Sequence, residues 1–379
     1  MSRRLFRSHP WWRLADPLLL VGALALALVG WLALWSVTTE GSGVSLSAVR
    51  QAGYIFLGSG LMVGLSRWDY RKLRMLAWPT YALSLLLLVA VLLPGVGRSA
   101  NGAQRWLSLG PFGTLQPSEM AKLAFILLLA HVLANWLDQR ERAPVSALAP
   151  GLLLAGVPFL LIASQPDLGT SLVVVACLFI MLFQAGVPLL PQAGLIVAGM
   201  GALPLVLKEY QRDRLLSFLN PDLDPSGTGY NLLQAKTALG SGGLVGKGLF
   251  DGPLSQHGFV PENHTDFIIT AIGEELGLVA VLGVMLLFLL LLLLLARLLW
   301  RCREPFGTLL LAGIIALLAF QAVVNLSMTM GLLPVVGIPL PFMSYGGSAM
   351  LTNFAALGLA GSVAREAREQ TVPLFGGYR

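Results

Sequence analysis

The chain has 379 residues, of which 56% are hydrophobic and 12% are charged, and its formal net charge is +6 at pH 7. Soluble domains carry about a quarter charged residues, so this composition excludes an ordinary soluble protein and predicts an integral membrane protein. The basic residues form short clusters between apolar runs, with no basic stripe of interleaved aromatics, which excludes nucleic acid as a partner. The two cysteines, Cys177 in an apolar run and Cys302 in a basic loop, predict neither a disulfide nor a thiol metal site.

About ten segments are long and apolar enough to cross a membrane, since a helix needs about 20 such residues. They lie near residues 16–36, 51–66, 75–95, 117–137, 146–164, 168–187, 188–207, 267–296, 307–331 and 340–362. The first exceeds the roughly 7 to 15 residues of a signal-peptide core, so we expect it to stay as an anchor. The predicted fold class is all-α, one integral membrane domain over residues 1–379.

Arginine and lysine predict the orientation of this domain. Five basic clusters fall on one side of a ten-span arrangement: the N-terminus, residues 67–74, Arg140 with Arg142, residues 297–303, and Arg365 with Arg368. By the positive-inside rule that side is cytoplasmic, with both termini inside and residues 365–379 as a cytoplasmic tail. The polar, Gly/Pro-rich segments then lie outside, and we expect the working face there: residues 96–116, 164–170, 208–266 and 333–348.

The outer segment 208–266, between spans seven and eight, is too polar to span and too long for an idle connection. Its stretch 220–231, "NPDLDPSGTGYN", has the residues of a turn. The following "NLLQAKTALGSGGLVGKGL" begins like a short amphipathic helix and then becomes rich in glycine. We therefore expect a half-buried helix and then a flexible loop.

Span four places Glu119 and Lys122 on one helix face, at i and i+3, about one turn inside the membrane. Ionisable groups at that depth are costly unless they are paired or face a wet cavity. A structural ion pair and a functional pair are both consistent with this spacing.

Span eight begins with Asp266 at its mouth, followed by Glu274 and Glu275. One straight helix over 267–296 would be about 45 Å long, which exceeds a bilayer core. Gly273 and Gly277 therefore predict a bend that turns the acidic first turns toward a cavity. The alternative interpretation makes Asp266 an N-terminal helix acid after a Thr265 cap.

Other chemistry-bearing residues on the outer side give weaker patterns. His257, Glu262, His264 and Asp266 are potential metal ligands, but they lack the i, i+4 spacing of a zinc enzyme, and a metal role is left open. Ser344, in "MSYGGS", lacks the order of a nucleophile elbow. The outer basic residues are solvated by default, or with Lys122 could hold the phosphates of an anionic lipid: Arg98, Arg105, Arg212, Arg214, Lys236 and Lys247.

Several of these outer stretches resemble the SEDS family (shape, elongation, division and sporulation) of polytopic peptidoglycan polymerases. The similar stretches are "GAQRWLSLGPFGTLQPSEMAKLA", "SQPDLGTSLV", "YQRDRLLSFLNPDLDPSGTGYN", "PENHTDFIITAIGEELGL" and "GLLPVVGIPLPFMSYGGSAMLTNF". The resemblance runs in order from about residue 16 to 364. The outer segment looks more like the RodA branch, which serves elongation, than the FtsW branch, which serves division.

The resemblance implies a glycosyltransferase of the bacterial cytoplasmic membrane that polymerises lipid II onto an undecaprenyl-linked glycan strand. It implies a class B penicillin-binding protein and other elongation-complex membrane proteins as partners. The family's essential carboxylate matches Asp266, its polar cluster in span four matches Glu119 and Lys122, and Trp106 matches a further functional position. Residues grouped with them as supporting or substrate-binding are Arg105, Arg212, Arg214, Lys236, Lys247, Glu262, His264, Glu275 and Ser344.

The residues and the resemblance together predict one mechanism. Asp266 acts as the general base on a sugar hydroxyl, and Lys122 helps to keep it ionised. The basic residues, with a divalent cation (Mg or Mn) as the one cofactor considered, offset the charge of the leaving pyrophosphate. A lipid II flippase and a non-catalytic scaffold for the penicillin-binding protein remain alternatives.

Overall fold

The computed structural model describes residues 17–39, 43–100, 103–108, 110, 113–138, 144–206, 209–220 and 227–371. The basic N-terminal cluster, Arg140, Arg142, the end of the predicted tail and residues 221–226 of the turn at 220–231 lie outside these residues.

Ten long helices occupy the positions of the ten predicted spans. The first seven are α1 (Pro17–Thr38), α2 (Leu46–Arg67), α3 (Leu73–Leu92), α4 (Pro117–Leu137), α5 (Leu148–Ser164), α6 (Leu168–Gln184) and α7 (Leu189–Val206). Three short helices form the outer segment: α8 (Glu209–Leu219), α9 (Thr228–Ser241) and α10 (Pro253–Gln256). The last three are α11 (Ile268–Arg301), α12 (Pro305–Thr329) and α13 (Gly347–Thr371).

Length and composition make this chain a multi-pass membrane protein. Among the described residues, 7 helices are long and apolar enough to cross a membrane, and α6 and α7 are shorter apolar helices. The remaining long helix, α2, has 22 residues and begins at a Ser45 cap, whose hydroxyl accepts a hydrogen bond from the Ala48 amide at 3.1 Å. The predicted tenth span began at residue 340, but residues 340–346 are irregular and the helix starts at Gly347.

The most buried helices, α4, α12 and α13, form the centre of the bundle, and α13 packs along α2. Because lipid tails are as apolar as leucine, close packing and buried hydrogen bonds hold such helices together. Gln51 of α2 makes one of these bonds, since its side-chain amide donates to the Ser344 carbonyl at 3.0 Å.

The basic loops lie at one end of the bundle, as the charge pattern predicted for those that are described. Arg365 at the end of α13 donates to the Arg67 carbonyl, and Arg71 lies 3.6 Å from Glu366. Tyr70 connects the same end to the start of α12, where its hydroxyl donates to Glu304 at 3.0 Å. We call this the basic end.

A small sheet at the opposite end was not predicted. Strands β1 (Gly97–Ala100), β2 (Ala103–Ser108) and β3 (Thr114–Leu115) are antiparallel in the order β1-β2-β3. Arg98 pairs with Trp106 and Leu107 with Leu115, and the β1–β2 register shifts after Arg98. The all-α class is confirmed for the membrane-spanning part, and this sheet covers the start of α4.

The predicted bend of α11 is confirmed at Gly277, which has a left-handed φ of 77°. The bend breaks two steps of the helical hydrogen-bond ladder, so the Leu278 and Val279 amides lose the Glu274 and Glu275 carbonyls. Residues 243–248 provide new hydrogen-bond partners for all four of these backbone groups. Leu278 and Val279 donate to the carbonyls of residues 243 and 244, and the Glu274 and Glu275 carbonyls accept from the amides of residues 247 and 248, at distances from 2.9 to 3.2 Å.

This bonding corrects the prediction of a flexible glycine loop after α9. Glycine is needed there because the two backbones approach closely: a Cβ on Gly246 would lie 2.1 Å from the Glu275 carbonyl oxygen. The half-buried helix that we expected before the loop is α9, which packs over the start of α11 through Leu232, Ala235 and Ala238.

Candidate active site

A cavity of about 600 Å³ opens at the end of the bundle opposite the basic end. Its walls come from β2, the starts of α6 and α13, α8, and the two segments 262–267 and 335–346. Six of the predicted site residues line it: Arg105, Trp106, Arg214, Glu262, His264 and Asp266. The cavity is thus the place where separate outer motifs meet.

Asp266 lies just before α11 and is half-buried in the cavity wall. The helix cap is Phe267, with no side-chain hydrogen bond, and the Thr265 hydroxyl donates to the Glu262 carboxylate at 3.0 Å. The alternative of a Thr265 cap followed by an N-terminal helix acid is therefore wrong. A tight turn, in which Phe267 donates to the Glu262 carbonyl at 3.2 Å, places the carboxylate at the cavity.

Segment 338–345 holds Asp266 from the other side. The side-chain amide of Asn325 donates to the Asp266 carbonyl at 2.8 Å and to the Ile338 carbonyl at 2.7 Å. The Ser344 hydroxyl donates to the Thr265 carbonyl at 2.6 Å. Ser344 is therefore a support of the Asp266 backbone, and it does not line the cavity.

The cavity raises the pKa of Asp266 to about 7. Burial is the main cause, because it disfavours the charged form, and the negative charges of Glu262 and Asp167 act in the same direction. Arg214 and Arg105 oppose them. The carboxylate is thus basic enough to take a proton and still substantially ionised near neutral pH.

Lys122 does not have the role predicted for it beside Asp266. It is buried and pairs with Glu119 at 2.7 Å, and neither side chain lines the cavity. Arg105 and Arg214 supply the positive charge near Asp266 instead. One Glu119 carboxylate oxygen has no hydrogen-bond partner among the described residues, so the described part of the chain does not fully satisfy this pair.

Glu274 and Glu275 do not face the cavity, contrary to the expectation for the bend. Glu274 is fully buried and accepts from Lys247 at 2.8 Å and from the Ser255 amide and hydroxyl at 2.8 and 2.5 Å. Glu275 accepts from the Ser36 hydroxyl of α1 at 2.5 Å. The helical period turns these acids toward α10 and α1, so they fasten the outer segment.

Two further basic residues predicted for the site lie elsewhere. Lys236 is exposed on α9, and its side chain lies against the Gly331 backbone. Arg212 is exposed on α8 and does not line the cavity. Arg214, two residues further along α8, is half-buried, lines the cavity and donates to the Val335 carbonyl at 3.5 Å.

Several polar and aromatic side chains of the cavity wall were not among the predicted site residues. Tyr54, Gln116, Asp167 and Tyr345 all line the wall, and the Tyr345 ring lies 6.2 Å from the His264 ring. The stretches that contain Gln116, Asp167 and Tyr345 were recognised as outer motifs. Within "SQPDLGT", the one carboxylate at an outward-facing helix start was the signal for Asp167.

The described part of the chain contains no group of three or more His, Cys, Asp or Glu side chains that could hold a metal ion. Three carboxylates, those of Asp167, Glu262 and Asp266, line the cavity together with two arginines. A role for a divalent cation stays a prediction.

Comparisons with known proteins cover nearly the whole chain. The family model of FtsW, RodA and SpoVE, described as "Cell cycle protein", matches residues 14–369. Peptidoglycan glycosyltransferase MrdB of Escherichia coli K12 is 39% identical over 359 residues, covering 92% of this chain and 93% of MrdB. A probable peptidoglycan glycosyltransferase FtsW of Geobacter metallireducens is 38% identical over 312 residues, covering 82% of each protein.

Two solved structures share the fold. The crystal structure of the rod shape determining protein RodA of Thermus thermophilus is 34% identical, with a TM-score of 0.71, and covers 94% of this chain and 99% of that chain. A chain of a peptidoglycan synthase complex, studied for the coordination of polymerization and crosslinking, is 33% identical with a TM-score of 0.77 over 96% of this chain. With the SEDS resemblance of the outer motifs, these matches show that the chain belongs to the FtsW, RodA and SpoVE family of cell cycle proteins.

Proposed function

We propose that this protein is a peptidoglycan glycosyltransferase that polymerises lipid II, with Asp266 as its general base. The observation that carries the proposal is a half-buried carboxylate, with a pKa of about 7, in a cavity shared with two arginines. The family membership and the relatives named peptidoglycan glycosyltransferase support the enzyme class.

In the proposed reaction, the 4-hydroxyl of an acceptor sugar attacks the anomeric carbon of a lipid-linked donor and expels undecaprenyl pyrophosphate. A sugar hydroxyl is a poor nucleophile, so a carboxylate within hydrogen-bonding reach should remove its proton as attack proceeds. A general base is most effective when its pKa lies near the working pH, which is where burial places that of Asp266.

Arg105 and Arg214 are suited to the leaving pyrophosphate. Guanidinium groups bind phosphate oxygens through paired hydrogen bonds, and charge that develops on the leaving group is stabilised by donors already in place. Trp106, Tyr54 and Tyr345 offer ring faces in the same cavity for the apolar faces of the sugars. A divalent cation belongs to this proposal only as an ion carried by the pyrophosphate, and no step depends on it.

The location in the cell and the partners are part of the proposal. The positive-inside rule puts the basic end in the cytoplasm, so that the cavity faces the outer surface of the bacterial cytoplasmic membrane. A class B penicillin-binding protein is the proposed partner, supported by the similar chain from a peptidoglycan synthase complex. A role in cell elongation, with other elongation-complex membrane proteins, is supported by the similarity to a rod shape determining protein.

The test is strand synthesis by the purified full-length chain with lipid II in detergent, together with a class B penicillin-binding protein whose transpeptidase serine is replaced. We expect glycan strands from the wild type and a loss of about 10²- to 10⁴-fold in Asp266→Asn and Asp266→Ala. Asp251→Asn is the matched control, because Asp251 is an exposed loop carboxylate that does not line the cavity.

Full activity in Asp266→Ala would overturn the role of the base. Detergent micelles need no transport across a membrane, so strand synthesis there would contradict a flippase that does nothing else. A scaffold would tolerate neutralisation of Asp266, whereas a polymerase would not.

A further inference from the structure

Asp167 joins three elements at the wall of the cavity. Its carboxylate is almost fully buried and caps α6, since one oxygen accepts from the Thr170 amide at 3.1 Å. The other oxygen accepts from the Gln116 side chain, just before α4, at 3.5 Å. That oxygen also lies 3.7 Å from Nη1 of Arg105 on β2.

Residues 165–167 form a corner of the chain, and the two residues before Asp167 bind the rest of the Arg105 guanidinium. Its Nε donates to the Gln165 carbonyl at 2.9 Å, and Nη2 donates to the Pro166 carbonyl. Three contacts with consecutive residues fix the plane of the group, while 21% of the side chain stays exposed. Arg105 therefore lines the cavity in one orientation, with Asp167 beside it.

We propose that Asp167 is a positioning residue of the active site, which anchors Arg105 at the corner 165–167 and sets the charge that Asp266 meets in the cavity. The inference rests on the proposed function, because it assigns a task to Asp167 within that reaction. Asp167 acts on the sugar hydroxyl only through Asp266, and on the pyrophosphate only through Arg105.

The charged surroundings of Asp266 give the sign of the effect. Glu262 and His264 face the cavity from its own segment, Arg105 from β2, Arg214 from α8 and Asp167 from the start of α6. The other described cavity elements, α2, α9 and residues 335–349, contribute no charged side chain there. Asp167 raises the pKa of Asp266 and Arg105 lowers it. The Gln165 and Pro166 carbonyls still hold Arg105 when the Asp167 charge is removed, so the loss of that charge lowers the pKa of Asp266.

The experiment is the pH profile of strand synthesis for wild type, Asp167→Asn and Asp167→Glu, from about pH 5 to about pH 9. The base works when deprotonated, so a lower pKa of Asp266 moves the acidic limb to lower pH. We expect the midpoint of that limb in Asp167→Asn to fall by at least about half a pH unit, and Asp167→Glu to restore it. The asparagine can still cap α6, which protects the fold.

A merely structural role for Asp167 would reduce the rate at every pH and leave the limb in place, and that result would overturn the proposal. Asp138→Asn is the matched control, because it removes an aspartate that pairs with Arg74 at 2.8 Å near the basic end. We expect no movement of the limb in this variant. A movement as large as that of Asp167→Asn would equally overturn the proposal.

A second measurement separates this inference from the proposed function. Carbodiimide reacts with protonated carboxyl groups, and mass spectrometry of the labelled protein follows the titration of Asp266 without any turnover. We expect the labelling midpoint to fall in Asp167→Asn even in a preparation that makes no strands. An unchanged midpoint overturns the inference, whereas absent strand synthesis by the wild type overturns only the proposed function.

Discussion

The carboxylates of residues 262–275 form two groups with opposite surroundings. Glu262 and Asp266 line the cavity, whereas Glu274 and Glu275 are buried among hydrogen-bond donors from α1, α10 and the outer segment. A buried carboxylate whose oxygens are already bound has little capacity left for chemistry, since exchanging those bonds is costly. Asp266, at the open wall and kept basic by burial and like charges, can accept a proton.

The comparison explains why acids are tolerated at the start of a membrane helix. One group provides the reactive carboxylate and the other fastens the segment that carries it. Asp266 and Glu274 are only about two helical turns apart, so the sequence alone presents the two groups as a single acidic stretch.

The largest expected effect on stability is that of Glu274→Ala. The change removes the bonds to Lys247, Leu254 and Ser255, and leaves buried donors without a partner. We expect a loss of about 3 to 5 kcal/mol and a sharply reduced folded yield in detergent, measured by thermal unfolding. Glu274→Gln is the control, since it keeps an acceptor of the same shape and should lose less. A well-folded Glu274→Ala without strand synthesis would break the comparison, because it would place Glu274 in the chemistry.

A smaller loss of stability is expected where residues 243–248 complete α11. Gly246→Ala should lower the unfolding temperature by several degrees, because its methyl group would meet the Glu275 carbonyl and its φ is 82°. Gly243→Ala, at a φ of 57° with open space around the Cβ, separates backbone strain from the clash. Gly283→Ala, in the apolar part of α11 with open space, should be neutral or stabilising. Equal unfolding temperatures for all three would show that the close approach is not needed.

The smallest expected effect on stability is that of Asp266→Asn, which tests the carboxylate that lines the cavity. The native pKa of Asp266, about 7, exceeds its ordinary value of 3.8, so the folded protein binds the proton more tightly and loses stability as pH rises through that range. Asp266→Asn has no such loss. Its unfolding temperature should exceed that of the wild type by about 2 to 4 °C near pH 8, and the gap should narrow toward pH 4. An equal gap at both pH values would mean that Asp266 is as well solvated as an ordinary surface acid.

The sequence predicted those features of the fold and of the cavity that depend on patterns of nearby residues. Apolar length predicted the ten helices, the charge of short loops predicted the basic end, and an acid at the mouth of span eight predicted Asp266. Gly277 was recognised as a bend because the segment was too long for one straight span. These properties are each contained in about 30 consecutive residues or fewer.

The failures have both long-range and local causes. Ser36 and Glu275 are 239 residues apart, so no local pattern could show that α1 occupies the Glu275 carboxylate. Lys122 was assigned to Asp266 because both were polar and outward, but the partner within reach on its own helix is Glu119. The strands β1 to β3 have 4, 6 and 2 residues, and the longest, β2 ("AQRWLS"), does not alternate apolar and polar residues.

The Asn325 side chain holds the backbone of Asp266 and of Ile338 together without lining the cavity. An alanine scan of this family would find that such a position abolishes activity, and its amide would be miscounted as part of the chemistry. Inhibitor-resistance substitutions could arise there too, by shifting the carboxylate rather than by touching a bound drug.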